Sequence, residues 1–326
     1  WCEISESLGA NRPNAQALRM HCQTSGWTLS AHDPLNNVVR TTVQAMAAVF
    51  GGTQSLHTNA WDEALALPSE SSARLASNTQ HILQQETGIC DVIDPWAGSY
   101  MMESLTASVC EEVRACMARI DAEGGVIAAI NNGSISTMIH SQALATQARL
   151  DSGEQVRVGE TPDTQKADTR PALQQINGQA VCDRQRKNLK HMRAKRDESA
   201  VRAYLRALAE GTRNDQANLL ALCIDAISAR ATLGECMAAL AQTWPRQRHT
   251  PKFVTGVYGS LRTPCPDWQA LCARVETFSQ HLGRRPHVLL SKLGQDGHDR
   301  GIRLIGAVLA DAGFTVTMLP MFQSSQ

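Results

Sequence analysis

The chain has 326 residues, 43% hydrophobic and 19% charged, with 31 basic and 31 acidic side chains and a formal net charge of zero. That is ordinary globular composition at a length that accommodates two domains. Balanced charge gives no electrostatic reason to gather nucleic acid or an anionic surface, and no apolar run approaches the roughly 20 residues that span a bilayer. The first residue is Trp1 rather than Met. The chain is therefore read as cut from a longer one, and a missing leader says nothing about targeting. Its ten cysteines are scattered and form no Cys-x-x-Cys pair. This favours buried thiols in a reducing compartment over a zinc or redox site.

In chain order, the first hundred residues alternate short strand-like and helix-like runs. Leu18 to Gln23 alternates apolar and polar residues. Asp33-Pro34 has the chemistry of a helix start, with Asp as N-cap and Pro at the first helical position. Val39, Val43, Met46 and Ala47 continue at helical spacing until Gly51-Gly52. Thr53 to Asn59 reads as a strand, Asp62 to Ala66 as the start of a helix, and Ser71 to Gln85 as a longer helix. The alternation predicts an α/β layer structure with a parallel sheet. From about Leu105 the pattern is helical through Ile130. Thr161 to Gly178 is polar and aperiodic, a loop or linker.

A basic run from Arg184 to Arg196 reads as a solvated helix face, because no aromatic residues interleave with it. Ala200 to Ala209 and Asn218 to Ala241 read as amphipathic helices, and Arg262 to Pro266 as a loop. His287 to Ser291 is an apolar strand, Gly294 to Asp299 a loop, Arg300 to Ala312 a helix stopped by Gly313, and Phe314 to Leu319 a second strand. These last elements form one βαβ unit.

Two segments carry chemistry. The first is Lys292-Leu-Gly-Gln-Asp296-Gly297-His298-Asp299-Arg300-Gly301. It places a histidine in a loop at the carboxyl end of a strand, where open α/β sheets bind ligands. An aspartate two residues earlier can accept a hydrogen bond from the imidazole and make its other nitrogen a better metal donor. Lys292 can balance that carboxylate, and the glycines allow close approach. A solvated Asp-Gly turn is the competing reading. The second is Arg19-Met-His21-Cys-Gln23-Thr-Ser-Gly26-Trp27, in which Arg19, His21 and Gln23 share one strand face. Thr53, Ser55, His57 and Asn59 repeat the pattern. Ordinary (β/α)₈ barrels fill their interiors with apolar side chains. A polar strand face therefore implies either a hollow barrel holding something polar or a strand end near solvent.

Asp296-x-His298-x-x-Gly301 resembles the signature of base-off, histidine-on cobalamin domains. With Lys292 upstream and Phe322-Gln323 downstream, it resembles the adenosylcobalamin-dependent acyl-CoA mutases. The strand segments resemble the methylmalonyl-CoA mutase family closely, as do Trp61-Asp-Glu63-Ala-Leu-Ala66-Leu67-Pro, Ser72-Ala-Arg-Leu-Ala-Ser-Asn78 and Asp94-Pro-Trp-Ala-Gly98-Ser. The resemblance is strong over 1–158 and 283–323, weaker over 181–282, and fails over 160–180. Ser134 to Thr146 also departs, with Ser-Ile-Ser-Thr-Met-Ile-His where the family has a charged helix.

The resemblance implies an α/β chain in three parts. Residues 1–105 would be the C-terminal part of a (β/α)₈ TIM barrel, 106–282 a mostly helical linker region, and 283–326 the first βαβ unit of a flavodoxin-like cobalamin-binding domain. It implies radical isomerisation of methylmalonyl-CoA and succinyl-CoA, as in propionate metabolism, with adenosylcobalamin as cofactor and an acyl-CoA as substrate. His298 would be the cobalt ligand, with Asp296 and Lys292 as its relay partners. Arg19, His21, Gln54 and Ser55 would contact the acyl-CoA. Gln23, Gly26, Glu63, Ala66 and Leu67 would face the cobalamin, Glu63 on the adenosyl ribose, and Gly297, Asp299, Arg300, Gly301 and Ile305 would complete that site. A dimer with a homologous mutase subunit, in bacterial cytoplasm or mitochondrial matrix, and no activity from the isolated chain are further expectations. A sister mutase acting on isobutyryl-, ethylmalonyl- or hydroxyacyl-CoA, and a non-catalytic corrinoid-binding subunit, stay open.

Overall fold

The computed structural model describes residues 1–160, 173–245, 254–294 and 297–323. Over these residues the chain is helix-rich α/β with two separate two-stranded parallel sheets. It divides into two compact units, Trp1–Gln174 with Thr250–Gln326, and Gln175–His249. Among the described residues no helix is long and apolar enough to cross a membrane.

The first unit opens with α1 (Cys2–Ser7) and α2 (Pro13–Gln16), then β1 (His21–Gln23), α3 (Asn36–Phe50) and β2 (Ser55–His57). The strands pair in parallel, His21 opposite Ser55 and Gln23 opposite His57. The expected alternation is present, with Cys22 and Leu56 half-buried between exposed polar neighbours. The helix begins later than the Asp33-Pro34 pair suggests. Asp33 takes a positive φ of 45°, and its carboxylate accepts from the Asn36 side chain at 2.7 Å instead of capping backbone N–H groups. Gly51 caps the far end as expected. Fully buried Asn37 staples the connections, donating to the carbonyls of Ser30 and Trp61 and accepting from the Ser30 N–H.

Asp62 to Ala66 forms turns rather than a helix. Asp62 is completely buried and accepts from the Ser72 hydroxyl at 2.7 Å and the Ser69 N–H at 3.3 Å. It thereby anchors the start of α4 (Glu70–Glu86), whose own cap is Ser69. The helix expected over Leu105 to Ile130 is two, α5 (Tyr100–Ala122) and α6 (Val126–Asn132), divided at Gly124-Gly125, both of positive φ. Helix α7 (Ser134–Ser152) follows.

The second unit is helical: α8 (Gly178–Lys195), α9 (Glu198–Gly211), α10 (Leu219–Ser228) and α11 (Leu233–Leu240). Val201, Leu208, Ala226, Cys236 and Ala239 form its buried core. The run expected as one helix from Asn218 to Ala241 breaks at Arg230, which has a φ of 71°. A capping box of Thr232 and Glu235 then restarts it. The basic run lies exposed along α8 up to Lys195, but Arg196, just past the helix, buries its side chain against Glu235 and so departs from the expected solvated face. The expectation of buried thiols fails: of the ten free cysteines only Cys236 is buried, and Cys2, Cys90, Cys110 and Cys182 are exposed.

The first unit resumes with α12 (Val257–Arg262), α13 (Pro266–Leu282), β3 (His287–Leu290), α14 (Arg300–Asp311) and β4 (Thr315–Met318). Strands β3 and β4 pair in parallel, His287 opposite Thr315 and Leu290 opposite Met318, which is the expected βαβ unit. Leu144 and Ala148 of α7, Tyr258 of α12 and Ala307 of α14 share one buried cluster. Tyr258 donates to Asp151 at 2.6 Å, and Asp311 accepts from the N–H groups of Gly256 and Gly259. Helix α14 is thus held by α7 and α12.

Candidate active site

Two loop clusters lie at the carboxyl ends of the parallel strands. The polar face of β1 and β2 leads up to the first: at the amino ends of the strands His21 Nδ1 and Ser55 Oγ are 2.7 Å apart across the pair. Beyond the strands the ladder continues, with the Thr24 N–H donating to the His57 carbonyl at 3.0 Å. The buried Thr24 hydroxyl donates to Asn59 Oδ1 at 2.9 Å and accepts from the Asn59 N–H at 2.8 Å. These bonds fix the loop after β1 against the loop after β2. Gly26 sits where they meet. A Cβ there would lie 3.1 Å from Asn59 Nδ2 and 3.4 Å from Glu63 Cγ, so a larger residue would displace both.

Glu63 is exposed and, with His57, Ser77, Gln80 and His81, lines a cleft of 380 Å³. Gln80 donates to the Leu56 carbonyl and the Thr58 hydroxyl, tying α4 to β2. Arg19, Gln23 and Leu67 are exposed and Ala66 is half-buried. Gln54 behaves differently from Ser55. Its amide accepts from the Met20 N–H at 2.6 Å and donates to the Gly52 carbonyl at 2.8 Å, so it joins backbone to backbone.

At the second cluster, Leu293 bridges to Gln323 and the Gly294 N–H donates to the Gln323 carbonyl at 2.9 Å. The upstream and downstream parts of the motif are therefore adjacent. The Lys292 ammonium donates to the His298 carbonyl. The His298 side chain is exposed. Among the described residues, chain neighbours and the helix's own backbone aside, no atom lies within 4 Å of where a Cβ would stand on Gly297 or Gly301. Asp296 lies outside the described residues. Asp299 pairs with Arg303 along α14, and Ile305 is exposed.

Arg300 and Trp27 join the two clusters. The Arg300 guanidinium lies 4.1 Å from the centre of the Trp27 ring, and Arg157 lies 5.7 Å from it. Trp27 follows Gly26, which abuts Glu63; Arg300 is two residues past His298. The histidine loop is thus tethered to the loops at the ends of β1 and β2. Burial, with Arg157 close by, pushes the Arg300 guanidinium below its ordinary value. The tether was not anticipated from sequence. An aromatic residue following a loop glycine at a strand end was its only signal.

A protein-family model described as methylmalonyl-CoA mutase matches residues 1–246. The chain belongs to the methylmalonyl-CoA mutase family. It is 42% identical over 330 residues to the methylmalonyl-CoA mutase of Escherichia coli, covering 100% of this chain and 46% of the relative. It is 44% identical to that of Cereibacter sphaeroides, over 100% of this chain and 46% of the relative. With the human mitochondrial methylmalonyl-CoA mutase it shares 43% identity over 99% of this chain and 43% of the relative. The chain therefore spans a little under half the length of the mutases it matches. The family-model match ends before the histidine loop, whereas the matches to individual mutases run through it.

Proposed function

We propose that this chain forms part of an adenosylcobalamin-dependent mutase that interconverts methylmalonyl-CoA and succinyl-CoA. Residues 1–105 are read as the later part of the barrel, 106–282 as linker and 283–326 as the start of the cobalamin-binding domain. The observation that carries the reading is the tether: Arg300 on Trp27 ties the histidine loop to the loop after β1, which Thr24 and Asn59 hold against the loop after β2.

The residues present fit the cofactor. A large planar group needs an accessible donor and clear space around it, and His298 offers an exposed imidazole between two glycines whose Cβ positions meet no other segment among the described residues. When bound, the cofactor supplies a carbon-centred radical through its cobalt–carbon bond, and the hard chemistry belongs to it. The protein's part is to hold and orient. His298 would hold the cofactor's cobalt through an imidazole nitrogen, and Asp296 would be its hydrogen-bond partner. The Lys292 ammonium, bonded to the His298 carbonyl, fixes the loop's backbone. Glu63, beside the Gly26 contact, is placed to accept hydrogen bonds from sugar hydroxyls. His21 and Ser55 present paired polar atoms to an extended acyl-CoA. Gln54 supports this face by bracing the backbone at Met20. Pairing with a homologous mutase subunit is part of the same proposal.

The test joins residues 1–326 to the flanking segments of the Escherichia coli relative, loads the product with adenosylcobalamin and follows succinyl-CoA formation from methylmalonyl-CoA. Turnover that His298→Ala abolishes is expected. A correctly folded fusion that binds cofactor but leaves methylmalonyl-CoA unchanged would overturn the reading.

A further inference from the structure

Helix α3 carries a polar ridge that ends on the turn holding Trp27. Asn37, Arg40 and Gln44 are three and four residues apart and so share one helix face. Each engages a different segment. Asn37 donates to the carbonyls of Ser30 and Trp61, and Arg40 donates to the Val158 carbonyl at 2.6 Å, next to Arg157. Half-buried Gln44 reaches the Trp27 turn. Its Oε1 accepts from the Ser25 N–H at 2.5 Å, and its Nε2 donates to the Thr28 hydroxyl at 2.7 Å. The Thr28 hydroxyl in turn donates to the Ser25 carbonyl at 2.8 Å. One side-chain amide therefore clasps both ends of Gly26–Thr28.

That turn needs an outside hold. It is a single 3₁₀ turn, closed by bonds of 3.3 Å from the Thr28 N–H to the Ser25 carbonyl and 3.2 Å from the Leu29 N–H to the Gly26 carbonyl. Hydrogen-bond geometry in such turns is poor. The Ser25 side chain makes no cap bond, and the Ser25 N–H is a donor that a helical start leaves without a backbone partner. Gln44 supplies its acceptor. We infer that Gln44 is a positioning residue for the histidine loop: by clasping the Ser25–Thr28 turn it sets the Trp27 ring on which Arg300 rests. Glutamate can take its place, because a carboxylate accepts from the Ser25 N–H and the Thr28 hydroxyl can turn its proton toward it. Leucine, of similar size, loses both bonds. The consequence for turnover rests on the mutase reading, whereas the clasp itself does not.

The full chain is compared with Gln44→Leu, Gln44→Glu and Thr28→Val by nuclear magnetic resonance. The readout is the Arg300 Nε–H, which is shut off from solvent beside the Trp27 ring. Gln44→Leu and Thr28→Val should speed its hydrogen exchange at least about tenfold and move its resonance as the ring shifts, while Gln44→Glu should stay within about threefold of the parent. Protection of the Thr41 and Ala45 amides in α3 should not change, which separates positioning from a general loss of stability. In the chain joined to the flanking segments of the Escherichia coli relative, Gln44→Leu should lower kcat at least about tenfold and leave KM for methylmalonyl-CoA within about twofold. A parent fusion without turnover would overturn the mutase reading, and the exchange rates would then decide this inference alone. The inference is overturned if Arg300 exchange is unchanged in Gln44→Leu or in Thr28→Val, or if Gln44→Glu is as damaging as Gln44→Leu. It is equally overturned if α3 protection falls in step with that of Arg300, or if an active fusion keeps its kcat in Gln44→Leu.

Discussion

Replacing Glu235 by Gln removes one charge from the ion pair that closes the helical unit. Arg196 donates through both terminal nitrogens to the Glu235 carboxylate, each at 2.8 Å. The N–H and hydroxyl of Thr232 donate to the same group at 2.7 and 2.8 Å. Arg196, helped by Thr232 and opposed by burial, holds the Glu235 carboxyl down at about 2. A drop from the ordinary 4.5 to about 2 corresponds to about 3 kcal/mol, at about 1.4 kcal/mol per tenfold change. The Glu235 side chain is 24% exposed, so solvent screening brings the expected loss to about 1–3 kcal/mol. Glutamine can keep the capping hydrogen bond, so the variant isolates the charge.

The folded value lies below the unfolded one. The stabilisation is therefore complete above about pH 4.5 and is lost as pH falls towards 2. Hydrogen exchange of the Val201 and Leu208 amides in the core of α9 measures it in the intact chain. Protection at pH 7 should fall by about 5- to 150-fold in the variant, and the difference should have shrunk to less than half in free energy near pH 3. An equal difference at pH 3 and pH 7, or none at pH 7, would refute the reasoning.

Two further outcomes concern the strand-end loops. Asp62→Ala removes a fully buried acceptor from Ser69 and Ser72 and should cost about 2–4 kcal/mol, with the largest loss of exchange protection in the first turn of α4; a loss under about 1 kcal/mol contradicts the assigned bonds. Gly26→Ala should shift the Asn59 side-chain amide resonances, since the added Cβ would stand 3.1 Å from Nδ2; unchanged Asn59 and Glu63 signals would mean that the loops are not pressed together there.

Local periodicity made much of the fold legible. The βαβ unit at 287–318 could be read because apolar strands, a helical stripe and Gly313 agree with one another. The polar faces of β1 and β2 followed from alternation alone, and their parallel register joins His21 to Ser55. Illegible features depended on tertiary partners. Asp33-Pro34 has the composition of a helix start, but the chain turns through a positive φ at Asp33 first. Asp62 to Ala66 reads as a helix start, yet Asp62 is consumed as a buried acceptor for the next helix. The break at Arg230 leaves no mark of its own, although the Thr-x-x-Glu capping signal at Thr232 announces the restart.

In the candidate site, the motif pointed to His298 and the family resemblance to Gly26 and Glu63, one at a time. The contact that brings their loops together, Arg300 on Trp27, spans most of the sequence and no local pattern reports it. Gln54, which the resemblance placed on the acyl-CoA, has both ends of its amide engaged by backbone, an arrangement that no strand pattern reports.

The most direct test of the central claim is the identity of the nitrogen below cobalt. Cobalamin carrying nitrogen-15 in its benzimidazole is bound to the chain joined to the flanking segments of its relative, and the electron paramagnetic resonance of the cob(II)alamin state is recorded. The expected spectrum shows superhyperfine splitting from a nitrogen-14 donor, and His298→Ala removes it. A nitrogen-15 pattern, or a nitrogen-14 pattern that survives His298→Ala, would contradict the assignment of His298 as the axial ligand.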